Sequence, residues 1–251
     1  MKFSCTPGRF LLFAALAAMF TGGCVFNATR ITTQVTGQTS SAGLVGVSLD
    51  VRNLSGNVTV TGTATPTVQA TVDVSEITIQ GSTPAADQLS VSITPSSEVG
   101  NVGLSVADSS NLWELLKIED VSLVSDQSLD VWVKTTSGNI TSSGINGFAD
   151  LESTSGNITA DIVRGCYITV TSGNIDATLK PDSTFASATF KTTSGNIKVS
   201  VPKGFKANLQ LSTTSGNISA PDGNKSALNG GDSTAVINCS VTSGNITIQE
   251  R

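Results

Sequence analysis

Short alternations of apolar and polar residues run through most of this chain, and a Ser-Gly-Asn tripeptide interrupts them at intervals. Six regular copies of the tripeptide are followed by Ile, and they begin at Ser137, Ser155, Ser172, Ser194, Ser215 and Ser243. An earlier copy, followed by Val, begins at Ser55. From Ser137 the successive spacings are 18, 17, 22, 21 and 28 residues. Spacings of this length are typical of the repeating unit of a solenoid.

Apolar residues stand at fixed distances on both sides of each serine. Cys166 and Ile168 lie six and four residues before Ser172, and Ile175 and Ala177 lie three and five after it. In the early copy the corresponding residues are Leu49, Val51, Val58 and Val60. A period of two on both sides of a corner indicates two short strands that point alternate side chains inward. We therefore predict an all-β, parallel β-solenoid (β-helix) with rungs of about 17–28 residues.

The corner residues have structural uses that need no ligand. Glycine suits a turn with positive φ, and stacked rungs would place the asparagines in one file, about 4.8 Å apart, where side-chain amides can bond to each other. The corners are Gly56-Asn57, Gly138-Asn139, Gly156-Asn157, Gly173-Asn174, Gly195-Asn196, Gly216-Asn217 and Gly244-Asn245.

Two cysteines, Cys166 and Cys239, fall at inward positions of the third and sixth regular rungs. If the rungs stack in chain order, three spacings separate them by roughly 14 Å, beyond the reach of a disulfide. We expect two buried thiols.

Residues 61–130 alternate more loosely and are predicted to form strands without the Ser-Gly-Asn corner. Residues 109–120, SSNLWELLKIED, instead place Leu112, Leu115 and Leu116 on one helical face, and Ser110 or Asn111 precede them as caps. This pattern predicts one short helix, which would cover a sheet edge or the open end of the stack.

The first 23 residues are predicted to be an export signal, with Lys2, Arg9 and an eleven-residue apolar run at 10–20. The run is too short to span a bilayer, and the following Gly-Gly-Cys24 resembles a bacterial lipoprotein signal, in which the cysteine is lipidated. The alternative is an ordinary secretory signal that leaves Cys24 as a thiol. The predicted organisation is a signal at 1–23, lipidated Cys24 with a polar tether at 24–43, and a solenoid domain at 44–251.

The charge and the missing histidine exclude several classes of function. Acidic side chains outnumber basic ones by 19 to 14, which disfavours nucleic-acid binding. The chain has no histidine, so it has no Ser-His-Asp or Cys-His arrangement and no histidine-based metal site. We expect no cofactor and no enzyme. The enzymatic alternative is a carboxylate pair, Asp150 and Glu152, acting on polysaccharide.

Residues 202–218, PKGFKANLQLSTTSGNI, resemble the repeat of bacterial exported proteins of the DUF4097 type, which are grouped as adhesins. The similarity covers about residues 44–251. It implies a right-handed β-solenoid, and many members of the group are lipoproteins.

Two groups of residues are candidate contacts for a partner. Trp132, Asp150 and Tyr167 stand five residues before successive corner serines, which would bring two aromatic rings and a carboxylate onto one face as a glycan contact. The loop at 221–234 carries oxygen-bearing side chains that suit calcium, although loops of this composition are often only loops. The weak calcium candidates are Asp222, Asn224, Asn229 and Asp232.

The leading functional hypothesis is a non-enzymatic envelope lipoprotein that presents a solenoid surface, as an adhesin or a structural envelope factor. Val25 after the cysteine favours the outer membrane in a host that has one. The alternative is a sensor or scaffold that binds another envelope protein by pairing at a sheet edge, because Ile246-Thr-Ile248 ends close to the C-terminus, where Glu250 and Arg251 could also guard the edge.

Overall fold

The computed structural model describes residues 28–51, 56–79, 89–96, 99–106, 116–230 and 234–251. Within these ranges the regular structure is β-strand, apart from one 3-10 turn at Pro221–Gly223. The strands form two sheets of ten strands each. The prediction of an all-β solenoid is confirmed.

Six rungs carry the regular Ser-Gly-Asn corner, and each contributes one strand to either sheet. The pairs of strands are β8 (Asp130–Ser137) with β9 (Ile140–Ser143), β10 (Phe148–Ser155) with β11 (Ile158–Ile162), β12 (Gly165–Ser172) with β13 (Ile175–Leu179), β14 (Ser187–Ser194) with β15 (Ile197–Val201), β16 (Ala207–Ser215) with β17 (Ile218–Ser219), and β19 (Val236–Ser243) with β20 (Ile246–Glu250). Neighbouring rungs pair parallel and in register, so equivalent residues stack in files.

The remaining strands lie mostly at the N-terminal end. They are β1 (Ala28–Ser40), β2 (Gly46–Val51), β3 (Val58–Thr63), β4 (Thr67–Ile79), β5 (Leu89–Ser96), β6 (Val99–Val106) and β7 (Leu116–Asp126), while β18 (Ala227–Leu228) lies at the opposite end. Strands β2 and β3 form a further parallel rung beside β8 and β9. At this end β1 pairs antiparallel with β4, and β5 with β6.

The core is a narrow space between the two sheets, filled by the inward residue of every alternation. Ile168, Ile175 and Phe190 are among the largest side chains that are fully buried. Alanines such as Ala177 and Ala188 occupy other inward positions with no exposed surface. Alternating burial is what a strand with one face on the core and one in water requires.

The corner glycines leave no room for a side chain. Gly156, Gly173 and Gly195 have φ of +136°, +148° and +144°. A Cβ at any of them would collide with the carbonyl oxygen of the glycine in the adjacent rung. At Gly56 the colliding group is the Glu119 carbonyl. Two separate constraints, the backbone conformation and the close approach of rungs, therefore select glycine.

The corner asparagines form a continuous ladder of hydrogen bonds. The backbone N–H of Asn174 donates to Oδ1 of Asn157 at 2.9 Å, and Asn196 donates to Oδ1 of Asn174 at the same distance. In space the file runs Asn217, Asn245, Asn196, Asn174, Asn157, Asn139 and Asn57. It ends on Asp120, whose Oδ1 accepts from the backbone N–H of Asn57 at 2.6 Å.

The rungs do not stack in chain order at the C-terminal end, contrary to the sequence prediction. Strands β19 and β20 lie between the β14–β15 rung and the β16–β17 rung. Cys166 and Cys239 are therefore two rungs apart rather than three. Both remain free and buried, so the prediction of two buried thiols is confirmed.

The same order removes the proposed sheet edge at the C-terminus. Strand β20 pairs with β15 on one side and β17 on the other. Glu250 also holds neighbouring loops, because its Oε1 accepts hydrogen bonds from Asn229 Nδ2 at 2.7 Å and from the Gly204 N–H at 3.2 Å. Ile246 and Thr247 therefore offer no free edge, contrary to the scaffold hypothesis, and Glu250 contacts neighbouring loops rather than guarding an edge.

Three further expectations differ from the structure at the N-terminal end. Residues Leu116–Asp120 of the predicted helix belong to strand β7, and 109–115 lie outside the described residues. Residues 28–40 of the predicted tether form strand β1, which pairs with β4 along its whole length. The connection at the first corner is two residues longer than the sequence spacing predicts. As a result, Val47 and Leu49 are the inward residues that pair with Val131 and Val133, whereas the prediction gave these places to Leu49 and Val51.

Candidate functional site

The outer face of the sheet that contains β8, β10 and β12 carries a file of side chains five residues before each regular corner serine. We call it the outer row. In space it reads Ser48, Trp132, Asp150, Tyr167, Thr189, Asn238 and Gln210. Asp150 lies opposite Trp132 on one side and Tyr167 on the other. The three residues selected from the sequence are therefore neighbours, with the two aromatics about 10 Å apart by strand spacing.

A second file, two residues closer to the corner, carries most of the charge on this face. We call it the charged row, and in space it reads Asp50, Lys134, Glu152, Thr169, Lys191, Ser240 and Ser212. Lys134 Nζ lies 2.8 Å from Glu152 Oε2. Lys191 Nζ lies 5.2 Å from the centre of the Tyr167 ring and 3.4 Å from its hydroxyl. Each lysine thus contacts a side chain on a neighbouring strand, Lys134 on β10 and Lys191 on β12.

A shallow depression of about 260 Å³ lies where the two rows pass over β2, β8 and β10. Its lining includes Ser48, Asp50, Trp132, Lys134, Asp150 and Glu152. Pockets that enclose drug-sized ligands usually measure about 300–1,000 Å³. The depression therefore suits a single small ring or head group held from one side.

Trp132 is fixed in place by the strand beside it. It lies next to buried Gly46, and a Cβ on that glycine would collide with the six-membered ring of the indole. The absence of a side chain at Gly46 lets the aromatic ring pack directly on the backbone of β2. The indole remains half-buried, so part of it is available to a ligand.

Among the described residues of this face, Asp150 is the charged group with a buried side-chain atom that has no hydrogen-bond partner. Its Oδ1 is buried and has no hydrogen-bond partner in the structure. Burial, followed by the charge of Glu152, raises the pKa of Asp150, and Lys134 opposes the shift. An ionised carboxylate in this setting gains from any donor that approaches it.

The calcium hypothesis receives no support from the described part of the loop at 221–234. Asn224 Oδ1 accepts the backbone N–H groups of Ser226 and Ala227, at 3.0 and 3.2 Å. Asn229 Nδ2 donates to the Phe205 carbonyl and to Glu250. Asp232 lies outside the described residues, and so does the side chain of Asp222. In the described ranges no three cysteine, aspartate or glutamate side chains are arranged so that they could hold a metal ion, and calcium binding at this loop stays a prediction.

Sequence reasoning found the outer row but missed most of the depression. Ser48, Asp50 and Lys134 were not singled out, although the corner spacing that placed Trp132 also places Lys134 two residues further on. Ser48 and Asp50 were hidden by the longer first corner, which shifts their register by two residues. The described segments contain no helix long and apolar enough to cross a membrane. Cys24 lies outside the described residues, and its lipidation stays a prediction.

The fold and its corners define a class of protein, a β-solenoid stacked through Gly-Asn turns. The family model described as Toastrack DUF4097 matches residues 18–249. The chain belongs to this family, as the resemblance of residues 202–218 predicted.

One solved structure with a TM-score above 0.5 agrees with the fold. A "putative cell adhesion protein" from Clostridium sporogenes is similar at 12% identity and a TM-score of 0.53, over 88% of this chain and 100% of the other. A "putative adhesin" from Bacteroides fragilis matches at 12% identity and a TM-score of 0.31, over 87% of this chain and 97% of the other. A "putative adhesin" from Parabacteroides merdae matches at 12% identity and 0.29, over 87% and 96%. No curated protein matches the chain.

Proposed function

We propose that this protein is a non-enzymatic, lipid-anchored solenoid of the bacterial cell envelope, which acts as an adhesin or a structural envelope factor. The observation that carries the proposal is the contiguous Trp132, Asp150 and Tyr167 segment of the outer row, held on a rigid parallel sheet. Aromatic rings next to a carboxylate suit stacking against sugar rings. The Clostridium sporogenes protein of similar fold is described as a "putative cell adhesion protein", which agrees with this role.

Attachment to the membrane would go through Cys24. Each buried CH₂ of an acyl chain contributes about 0.8 kcal/mol, so a cysteine with more than one chain anchors stably. In a host with an outer membrane, Val25 favours that membrane. Mass spectrometry of the mature N-terminus tests this part: an acylated Cys24 is expected, and a free thiol would contradict it.

The chemistry of the described residues supports a binding rather than a catalytic role. Glu152 is engaged with Lys134 at 2.8 Å, which does not leave it poised beside Asp150 as a proton donor or nucleophile. Burial raises the pKa of both the Cys166 and Cys239 thiols, which removes them as nucleophiles. The chain contains no histidine to serve as a general base.

The test replaces both aromatics of the outer row and measures attachment to cells and to immobilised glycans. Loss of two aromatic contacts, each worth about 0.5–1.5 kcal/mol beyond the area they bury, should weaken binding by about tenfold for the W132A/Y167A variant. The matched control is N238A/Q210A, which changes the same row at its other end, away from Tyr167. Thermal melts of both variants establish that they fold.

Unchanged attachment by folded W132A/Y167A would overturn the proposal. Crosslinking in intact cells then separates the alternatives, because capture of a single envelope protein would indicate a scaffold. Turnover of cell-wall or matrix polysaccharide by the purified chain would instead indicate an enzyme.

A further inference from the structure

The depression beside Trp132 has an excess of negative charge. Among the described residues, its lining contains the carboxylates of Asp50, Asp150 and Glu152 and one cationic group, Lys134. The chain as a whole is also acidic, with 19 acidic and 14 basic side chains. An acidic saccharide would be repelled here, whereas a cationic ligand would be attracted.

Lys134 offsets only part of this negative charge at Asp150. Its Nζ is already placed 2.8 Å from Glu152, on the charged row. Asp150 keeps a buried Oδ1 without a hydrogen-bond partner, and the net effect of burial and Glu152 is to raise its pKa despite Lys134. Asp150 as a whole is only half-buried, so a positively charged donor from a ligand can approach the exposed part of its carboxyl group and stabilise the ionised form. Charge-assisted hydrogen bonds are about twice as strong as neutral ones.

Trp132 adds a second and independent requirement on the ligand. The ring is held against the backbone at Gly46 and forms one wall of the depression. An indole attracts the apolar face of a sugar ring and also attracts cations placed over it. A volume of about 260 Å³ leaves space for one such ring rather than an enclosed oligomer.

We propose that the depression is a subsite for a saccharide unit that carries a protonated amino group, such as a glucosamine residue of a larger glycan. The sugar ring stacks on Trp132, and its ammonium group donates to Asp150. The proposal rests on the proposed function, because it names the class of sugar that the outer row binds.

The experiment compares three oligosaccharides of equal length on the full mature chain: a β-1,4-linked glucosamine trimer, its fully N-acetylated form, and a glucose trimer. Isothermal calorimetry at pH 6 and low salt should show the amine-bearing trimer binding at least tenfold more tightly than either neutral one. The difference should shrink as salt is added, because the contact is partly exposed and electrostatic.

Two variants assign the effect to residues. Asp150→Asn keeps the shape of the side chain and removes its charge, and it should abolish most of the preference for the amine while leaving weak binding of neutral trimers. Asp176→Asn is the matched control, because Asp176 is an acidic residue on the other sheet, 3.8 Å from Lys198. It should bind all three trimers as the unaltered chain does.

The outcomes separate this inference from the proposed function. Equal binding of all three trimers, with W132A lowering each of them, would overturn the amino-sugar subsite and leave a neutral glycan contact standing. No binding of any trimer would count against both. Wild-type selectivity in D150N, or tight binding of ethanolamine, which has an amine but no ring, would overturn the assignment of the subsite.

Discussion

At the scale of single residues, the corner glycine is where sequence and geometry correspond most closely. Six of the seven glycines in the Ser-Gly-Asn corners have φ values between +98° and +148°. The carbonyl group of the neighbouring rung also excludes a Cβ at these positions. The sequence pattern does not reveal this second constraint, because it depends on which rungs are in contact. Glycine substitutions can separate the two effects.

Gly195→Ala should destabilise the protein by about 3 kcal/mol, because it combines an unfavourable φ with a collision against the Gly173 carbonyl. The control is Gly204→Ala, where φ is +76° but nothing lies within 4 Å of the added Cβ. That change should cost only about 1 kcal/mol. Urea denaturation measures both, and equal losses would show that rung contact does not constrain the corner.

Asp150 makes stability depend on pH in a known direction. Its pKa is raised in the folded state, mainly by burial and then by Glu152, so the folded chain holds this proton more tightly than the unfolded chain. The contribution of Asp150 to the free energy of unfolding should therefore fall as pH rises from about 4 through the raised pKa. Asp126, Asp182 and Glu250 have lowered pKa values and contribute in the opposite direction, so the effect of Asp150 is measured as a difference between two variants. Lys134 faces the carboxylate from β8 and limits the size of the effect.

Asp150→Asn removes this titration, so it should stabilise the protein relative to the unaltered chain at pH 7 and have less effect at pH 4. Urea titrations at the two pH values provide the measurement. A stabilisation of the same size at both pH values would contradict a raised pKa of Asp150 in the folded state.

At the scale of elements, the repeat predicted strands well and their neighbours less well. The inward residues Ile175 and Phe190 are fully buried as their spacing requires. The order in which the rungs stack could not be predicted from the sequence. Every regular rung has the same corner and the same apolar spacing, so any two of them could stack on each other. Leu116–Asp120 was misassigned because leucines three and four apart have helical spacing, whereas in the fold this segment pairs with β4, and that pairing overrides the local pattern.

Introduced cysteines test the order of the rungs. Thr189 is the register partner of Asn238, whereas Gln210 lies one strand further away. T189C/N238C should form a disulfide under mild oxidation, because adjacent strands lie about 4.8 Å apart. T189C/Q210C is the control and should stay reduced, at about 9.6 Å. The opposite result would indicate that the rungs stack in chain order.

At the scale of the whole molecule, the extent of strand β1 determines how far from the membrane a lipid-anchored solenoid would lie. Strand β1 begins at Ala28, four residues after Cys24. Four residues span at most about 14 Å, so an acylated Cys24 would hold this end of the stack close to the bilayer. The Thr-rich segment predicted as a tether cannot extend the solenoid away from the surface, because it is paired with β4.

A fluorescent label at T32C should be quenched by head-group quenchers in vesicles that carry the lipidated protein. The control label at Q210C, about 40 Å away across the stacked strands, should not be quenched. The native cysteines Cys166 and Cys239 are buried and should not take up the label. Equal quenching at the two positions would contradict a solenoid anchored by its β1 end.

The insertion of the last rung also bears on how such a chain could lengthen during evolution. Strand β19 has a partner strand on each side, and β20 has β15 on one side and β17 against its first two residues, so a duplicated copy appended after Arg251 would find no open rung beside its parent. A new repeat placed between β9 and β15 would instead meet matching neighbours above and below it, with the same glycine contact and the same asparagine bond. Gene duplication within the central repeats is therefore the route that lets this architecture grow one layer at a time.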